Sequence, residues 1–162
     1  MPGVGDYDET LSLLSRNGFI DMLSQNVLGG GKLFLGVCVG MQILGTSSAE
    51  GTLRGLNWIP GRVDKIPSES AGELVRLPHM GWNSLRLMRQ SNLVDGLDLT
   101  KGAYFLHNYE FLADDPECVI GTTAYSKEIT SIINKQNIYG VQFHPEKSHS
   151  NGVKLLENFS KL

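Results

Sequence analysis

One junction constrains the fold of this chain more than any other part of the sequence. The apolar run Leu33 to Val37 has the length and composition of a buried strand, and Met41 to Leu44 can open a helix. Between them lies Cys38, with Gly36 and Gly40 two positions away on either side. This spacing matches a nucleophile elbow, in which a Cβ at either glycine would collide with neighbouring backbone. The sequence predicts a cysteine nucleophile at a sharp strand-to-helix turn, with the helix N-terminus favouring the thiolate.

A histidine and a glutamate in the second half of the chain complete a candidate triad. His144 ends a predicted strand that begins at Ile138, and Pro145 biases the histidine toward an extended backbone. Residues two apart in an extended segment point to the same side, so Glu146 can reach the imidazole. The carboxylate would fix the tautomer of the ring and stabilise its protonated form. We therefore predict Cys38, His144 and Glu146 as catalytic residues.

Main-chain amides are predicted to stabilise the oxyanion of such a reaction. The amide of Val39, directly after the nucleophile, is the usual first donor in an elbow. The turn Gly3-Val4-Gly5 can supply a second donor, because its glycines let a peptide plane turn toward a developing charge. Taken singly, each feature has a structural explanation, since a buried cysteine is usually a core residue. Their combination in one chain favours catalysis.

Composition and charge argue against several functional classes. The chain has 162 residues and a formal net charge of −3, without the basic excess of a nucleic-acid-binding protein. Neither a membrane-spanning run nor a signal peptide is recognisable, so we expect a cytoplasmic protein with both cysteines reduced and with no membrane or nucleic-acid partner. We expect no metal or other cofactor. The histidines lack metal-ligand spacing, and the glycine run at 29–31 precedes its strand rather than following it.

The remaining pattern predicts a single α/β domain over residues 1–162, with an antiparallel, strand-rich middle. No internal repeat or linker divides the chain. Cys118 is expected to be structural, and His149 exposed. Helices are expected at 6–15, 19–28 and 153–162. Strands are expected at 62–66, 74–77, 84–87, 103–111, 119–125, 129–133 and 138–143.

Taken together, these residues resemble the class I glutamine amidotransferases. The stretch 36–42 resembles the nucleophile motif of that family, and the stretch 140–146 resembles its His-Pro-Glu motif. The runs Pro78 to Asn83 and Tyr104 to Tyr109, and the pair Lys147-Ser148, are similar to the glutaminase subunits of imidazole glycerol phosphate synthase. The resemblance implies a flavodoxin-like mixed sheet flanked by helices.

The resemblance also implies a role for each matching residue. Cys38 attacks the side-chain amide of glutamine to give a glutamyl thioester, His144 passes the proton to ammonia and then activates water, and Glu146 orients the imidazole. Val4 and Val39 donate to the oxyanion. The residues implied to hold glutamine are Gly3, Gly5, Gln42, Glu50, His107, Asn108 and Tyr109. The resemblance further implies a heterodimer with a (β/α)8 cyclase subunit, which would use the ammonia in histidine biosynthesis. The residues implied to meet that subunit are Pro78, His79, Met80, Gly81, Trp82, Asn83, Tyr104 and Lys147.

Two departures from the family pattern leave alternatives open. The family normally has a β-α segment before the turn that here begins at Pro2, so we expect an N-terminally truncated sheet with lower stability or altered oligomerisation. Asn108 and Glu110 differ from the usual residues of that subunit. One alternative is a paralogous glutaminase that supplies ammonia for amidation of a nucleotide sugar in surface-glycan biosynthesis. The others are a non-catalytic scaffold and a cysteine hydrolase of another substrate, such as a γ-glutamyl peptide.

Overall fold

The helices and strands of this computed structural model are described for residues 1–3, 5–70 and 73–162. The α-helices are α1 (Tyr7–Arg16), α2 (Phe19–Ser24), which a π-helical turn (Gln25–Gly29) extends, α3 (Val39–Gln42) and α4 (His149–Phe159). The strands are β1 (Pro2–Gly3), β2 (Phe34–Cys38), β3 (Ser47–Ser48), β4 (Gly61–Lys65), β5 (Glu69–Ser70), β6 (Glu73–Leu74), β7 (His79–Asn83), β8 (Arg86–Leu87), β9 (Ala103–His107), β10 (Tyr109–Ala113), β11 (Val119–Ala124), β12 (Glu128–Lys135) and β13 (Ile138–Val141). None of the helices in these ranges is both long and apolar enough to cross a membrane.

The main sheet is mixed and brings the two predicted motifs to one edge. Within the described residues its order is β1-β2-β13-β12-β11-β8, with β1, β2 and β13 parallel and the other pairs antiparallel. Val37 of β2 lies opposite Val141 of β13. Because the carboxyl ends of parallel strands meet at the same edge, the chain leaves both strands side by side. Cys38 ends the first strand, and His144 follows the second. The mixed sheet with flanking helices confirms the predicted α/β class.

Apolar side chains from alternate positions of the central strands enter two separate clusters. Leu35 and Ile132 belong to one cluster, whereas their neighbours Phe34 and Ile133 belong to the other. This alternation is the period of two expected for a sheet that is buried on both faces. Helix α4 contributes Leu155 to the first cluster, and the segment around α3 contributes Met41 and Leu44 to the second.

Helix α1 is tied to the loop that carries Glu50. The side chain of Asp6 caps the helix by accepting from the amide of Glu9 at 3.0 Å. Two residues on, Asp8 accepts from the amides of Thr52 and Leu53, at 2.8 and 3.0 Å. These bonds to the carboxylate hold its pKa below the ordinary value. The loop after β3 is therefore fixed relative to α1, and Glu50 with it.

Several strands differ from those expected from local pattern. The run 103–111 is divided at Asn108 into β9, which pairs with β7, and β10, which pairs with β4. Residues 79–83, expected as a connection, form strand β7 because β9 supplies a pairing partner far along the chain. Of the strand expected at 74–77, only Leu74 lies in a strand. Helix α4 begins at His149, earlier than the apolar pattern indicated.

Candidate active site

Cys38 occupies a sharp turn between β2 and α3 in an unusual backbone conformation. Its φ is 55° and its ψ −114°, a region that residues other than glycine seldom adopt. A Cβ added at Gly36 would lie 2.2 Å from the carbonyl oxygen of Gly40. A Cβ at Gly40 would lie 2.4 Å from the carbonyl oxygen of Met1. The two glycines are thus required by close backbone approach, as the elbow spacing predicts.

The electrostatics of the thiol differ from expectation. Burial raises the pKa of Cys38 to about 11, and the negative charges of Glu146 and Glu50 add to that effect. The main-chain amide of Val39 and the side-chain amide of Gln142 oppose it by hydrogen bonding to the sulfur. The prediction that the helix N-terminus makes the thiolate the favoured form is therefore wrong. Helix α3 has only four residues, and loss of hydration outweighs its contribution.

His144 is held in one tautomer and one orientation. Its Nδ1 lies 2.7 Å from Oε1 of Glu146, and because a carboxylate only accepts, Nδ1 carries the proton. The main-chain N–H of His144 donates to the carbonyl of Tyr104 at 2.9 Å, and the hydroxyl of Ser148 donates to the carbonyl of His144 at 2.7 Å. The residue is 2 % exposed, and its Nε2 has no hydrogen-bond partner among the described residues. That nitrogen is available as a base.

One cavity of about 150 Å³ collects most of the residues predicted for catalysis and substrate binding. It lies where the elbow, the loop after β3, the β9–β10 connection and the segment after β13 meet. Glu50 faces it, and burial together with the charges of Asp6 and Asp8 raises the pKa of that carboxyl group. The lining residues, all predicted from the sequence except Leu106, are Gly5, Cys38, Val39, Gln42, Glu50, Leu106, His107, Asn108, Tyr109 and His144.

Two predicted residues stand beside this cavity rather than in its lining. Gly3 of β1 lies opposite Cys38 in the parallel register, and Glu146 lies behind the imidazole of His144. Val4, the predicted second oxyanion donor, lies outside the described residues, and its role stays a prediction. No group of three or more histidine, cysteine, aspartate or glutamate side chains in the described part of the chain could hold a metal ion.

Sequence reasoning missed two residues that contact the thiol. The carbonyl of Leu106 lies 3.9 Å from the Cys38 sulfur, where the S–H can donate to it. Gln142 is fully buried and its Nε2 lies 3.7 Å from the same sulfur, while its Oε1 accepts from Gln42 at 3.1 Å. The sequence signal for Gln142 was a polar amide in an apolar strand end two residues before His144.

The residues predicted to meet a partner divide between surface and interior. Along β7 the side chains of Met80 and Trp82 are 57 % and 43 % exposed, whereas His79 is 2 % exposed. This corrects the prediction for His79, because the alternation of the strand turns its side chain inward. Lys147 is exposed, with its Nζ 5.6 Å from the centroid of the Tyr104 ring.

The sequence and fold identify the family. The profile of the family described as glutamine amidotransferase class-I matches residues 1–162. The chain therefore belongs to the class I glutamine amidotransferases. It is 44 % identical over 162 residues to the imidazole glycerol phosphate synthase subunit HisH of Leptospira interrogans, covering all of this chain and 79 % of that protein. It is 43 % identical over 164 residues to the HisH subunit of Listeria monocytogenes, with 100 % and 76 % covered.

Solved structures share the fold. A crystal structure described as glutamine amidotransferase superposes with a TM-score of 0.68 at 16 % identity, covering 98 % of this chain and 77 % of that chain. The crystal structure of a glutamine amidotransferase from Thermotoga maritima gives a TM-score of 0.61 at 16 % identity, covering 99 % and 60 %. At these identities the likeness defines the architecture, which is the mixed sheet flanked by helices.

Proposed function

We propose that this chain hydrolyses the side-chain amide of glutamine as the glutaminase subunit of an imidazole glycerol phosphate synthase. The observation that carries the proposal is the shared cavity of Cys38 and His144, with Glu146 bonded to the far side of the imidazole. A nucleophile, a base and a group that orients the base are the elements of covalent acyl transfer. The choice of this synthase is supported by the relatives, which are named as HisH subunits of imidazole glycerol phosphate synthase.

The reaction begins from the neutral thiol. As the sulfur of Cys38 attacks the carboxamide carbon, Nε2 of His144 takes the thiol proton, and Glu146 stabilises the resulting imidazolium. The amide of Val39, with the turn around Gly3 as the proposed second donor, stabilises the tetrahedral oxyanion. The imidazolium then protonates the leaving nitrogen, and the C–N bond breaks to give ammonia and a thioester. Nε2 of His144 then deprotonates a water molecule, which attacks the thioester. The C–S bond breaks to give glutamate, and the imidazolium returns its proton to the sulfur of Cys38.

The charge at Glu50 suits the substrate. Burial and the charges of Asp6 and Asp8 raise its pKa, which means that the surrounding protein disfavours the anionic form of this carboxyl group. The α-ammonium of glutamine would supply the missing positive charge. Gln42 and the main chain from His107 to Tyr109 line the rest of the cavity and are proposed to hold the substrate. None of these steps requires a cofactor.

A cyclase subunit is the proposed destination of the ammonia. Free ammonia is mostly protonated at neutral pH and loses its nucleophilicity in bulk water, so a covered exit favours a docked partner. We place a (β/α)8 cyclase on the surface formed by Pro78, Met80 to Asn83, Tyr104 and Lys147, where Met80 and Trp82 are exposed. Such a heterodimer would act in the cytoplasm, in histidine biosynthesis.

A coupled assay tests the proposal. The chain is co-expressed with a candidate cyclase subunit from the same genome, and glutamate release from glutamine is measured with and without the nucleotide acceptor. Release that requires Cys38, and disappears in Cys38→Ala with the heterodimer intact, is the expected result. A folded heterodimer that releases no glutamate under any condition would remove the enzymatic proposal and favour a scaffold. Activity only with a nucleotide-sugar amidating partner would move the ammonia to the alternative acceptor.

A further inference from the structure

Two buried histidines outside the triad form a polar chain that ends at the cavity. Nδ1 of His79 lies 2.9 Å from Nε2 of His107, and Nδ1 of His107 lies 2.7 Å from the carbonyl oxygen of Tyr109. At the other end, Nδ2 of Asn83 lies 3.2 Å from Nε2 of His79 and 2.9 Å from the carbonyl oxygen of Ala124. All the ring nitrogens of the two histidines therefore have partners.

The carbonyl of Tyr109 sets the direction of every bond in this chain. A carbonyl only accepts, so Nδ1 of His107 carries the proton and its Nε2 is an acceptor. Nδ1 of His79 must then donate to His107, which leaves Nε2 of His79 to accept from Asn83. The carbonyl of Ala124 independently requires the amide nitrogen of Asn83 at this position. Both ends thus specify the same pair of tautomers, each with its proton on Nδ1.

The polar chain of hydrogen bonds extends from Tyr109 to the nucleophile. The carbonyl of Tyr109 also accepts from Nε2 of Gln42 at 3.4 Å, and that nitrogen lies 3.1 Å from Oε1 of Gln142. Nε2 of Gln142 in turn lies 3.7 Å from the sulfur of Cys38. Residues 106–109 line the cavity. The position of that segment, and of the Gln142 amide that contacts the thiol, thus depends on the hydrogen bonds to the carbonyl of Tyr109.

We propose that His79 is a positioning residue of the glutaminase site, acting through His107 to hold the segment 106–109 and Gln42 in register with Cys38. His79 is absent from the cavity lining and lies on the neighbouring strand β7, opposite His107 in the β7–β9 register. The inference rests on the proposed function for its activity readout. It differs from the role in partner contact that the sequence indicated for His79.

Packing around His79 allows its polar role to be separated from its shape. The ring is stacked between Phe105, at 4.6 Å, and Tyr125, at 4.0 Å between centroids. His79→Phe keeps an aromatic ring in this stack and removes both hydrogen bonds. His79→Asn keeps a donor near the position of Nδ1. Tyr125→Leu leaves all hydrogen bonds of the polar chain in place. It removes one stacking ring, together with the bond from the Tyr125 hydroxyl to the carbonyl of Arg76, so it is the control for packing.

The experiment measures kcat and KM for glutamate release by the heterodimer, with circular dichroism and thermal melting as checks on the fold. We expect His79→Phe to lower kcat/KM by about ten- to a hundredfold, the scale for misplacement of catalytic groups. His79→Asn should recover part of the loss, and Tyr125→Leu should remain close to wild type. A His79→Phe enzyme with wild-type kcat and KM would overturn the inference, as would equal losses in His79→Phe and Tyr125→Leu.

Long-range ¹H–¹⁵N spectra of the histidine rings, recorded on the wild-type chain, supply a readout that is independent of activity. Both rings, assigned from His79→Phe or from a variant at His107, should show the neutral tautomer with the proton on Nδ1. A proton on Nε2 of either ring would overturn the inference. A wild-type heterodimer that released no glutamate would instead overturn the proposed function and, with it, the catalytic part of this inference. The spectra would then still show whether the two rings have the tautomers that the polar chain requires.

Discussion

His144 and Glu146 are joined by a 2.7 Å hydrogen bond between a buried imidazole and a carboxylate that is half-exposed to solvent. The bond fixes the tautomer, and the charge of the carboxylate stabilises the imidazolium that forms when the thiol loses its proton. We expect Glu146→Gln to lower kcat by about a hundredfold, within the usual range for general acid–base catalysis, with a smaller effect on KM. Steady-state glutamate release by the heterodimer measures it. Glu157→Gln, at an exposed position of α4, is the matched control. An unchanged kcat in Glu146→Gln would show that the imidazole needs no carboxylate.

The raised pKa of Cys38 predicts slow alkylation at neutral pH. With a pKa of about 11, the sulfur is mostly protonated at pH 7, so its rate of reaction with iodoacetamide should rise with pH well beyond pH 9. Mass spectrometry of the isolated chain follows the reaction in a Cys118→Ser background, which removes the second thiol. A rate that reached its plateau near pH 7 would show a thiolate in the resting enzyme and contradict the prediction.

Gln142 gives that experiment an internal comparison. Its amide donates to the Cys38 sulfur and so favours the anion, which means that Gln142→Leu should raise the pKa of the thiol further. Alkylation of the variant should be slower than that of the parent at every pH below the plateau. A faster reaction would mean that access, rather than ionisation, limits the parent protein.

The buried histidine pair predicts loss of stability in mild acid. Burial lowers the pKa of His79 to about 4 and that of His107 to about 3, from the ordinary value of 6.5. At His107 the hydrogen bond to the main chain of Tyr109 opposes this lowering of the pKa, whereas the charges of His79 and His144 add to it. Between pH 6.5 and 4 the unfolded chain therefore binds protons that the native chain does not. The free energy of unfolding falls with falling pH by up to about 1.4 kcal/mol per unit for each ring.

Urea unfolding at pH 7, 6 and 5 measures this slope. His79→Phe should reduce it by about the contribution of one histidine, up to about 1.4 kcal/mol per pH unit. His149→Asn removes an exposed histidine and serves as the control. A slope in His79→Phe equal to that of the parent would show that the ring at 79 is protonated in the native state within this pH range.

The exposed side of β7 predicts where a partner binds. Trp82 is partly exposed beside Lys101, whose Nζ lies 5.9 Å from the ring centroid, and beside His149. Truncation of a tryptophan at an interface commonly costs about 2 kcal/mol or more, so Trp82→Ala should weaken binding to the proposed cyclase partner by roughly thirtyfold. Titration calorimetry measures the affinity. Met88→Ala, at a methionine that is 57 % exposed and lies outside the predicted surface, should leave the affinity unchanged. Equal affinities for Trp82→Ala and the parent would place the interface elsewhere.

Local features of the sequence were sufficient for the elbow and for the pairing of His144 with Glu146. A Cβ at Gly36 would clash with Gly40, within the elbow itself, and a Cβ at Gly40 would clash with the carbonyl of Met1, so the spacing of the two glycines carries the geometry. His144 and Glu146 are two residues apart, and their contact depends on backbone conformation alone. The continuous apolar run of β2 likewise predicted a buried strand, because a strand that is covered on both faces needs apolar side chains at successive positions.

Features that depend on distant parts of the chain were decided only by the tertiary structure. Pairing with β9 made residues 79–83 a strand and turned His79 into the interior, where it meets a histidine 28 residues later in the sequence. Burial by the surrounding elements, and not the helix that follows, set the protonation state of Cys38. The identity of each catalytic group is thus written locally in the sequence, whereas its solvation and hydrogen-bond partners come from segments that only folding brings together, since both depend on which atoms exclude water from the site.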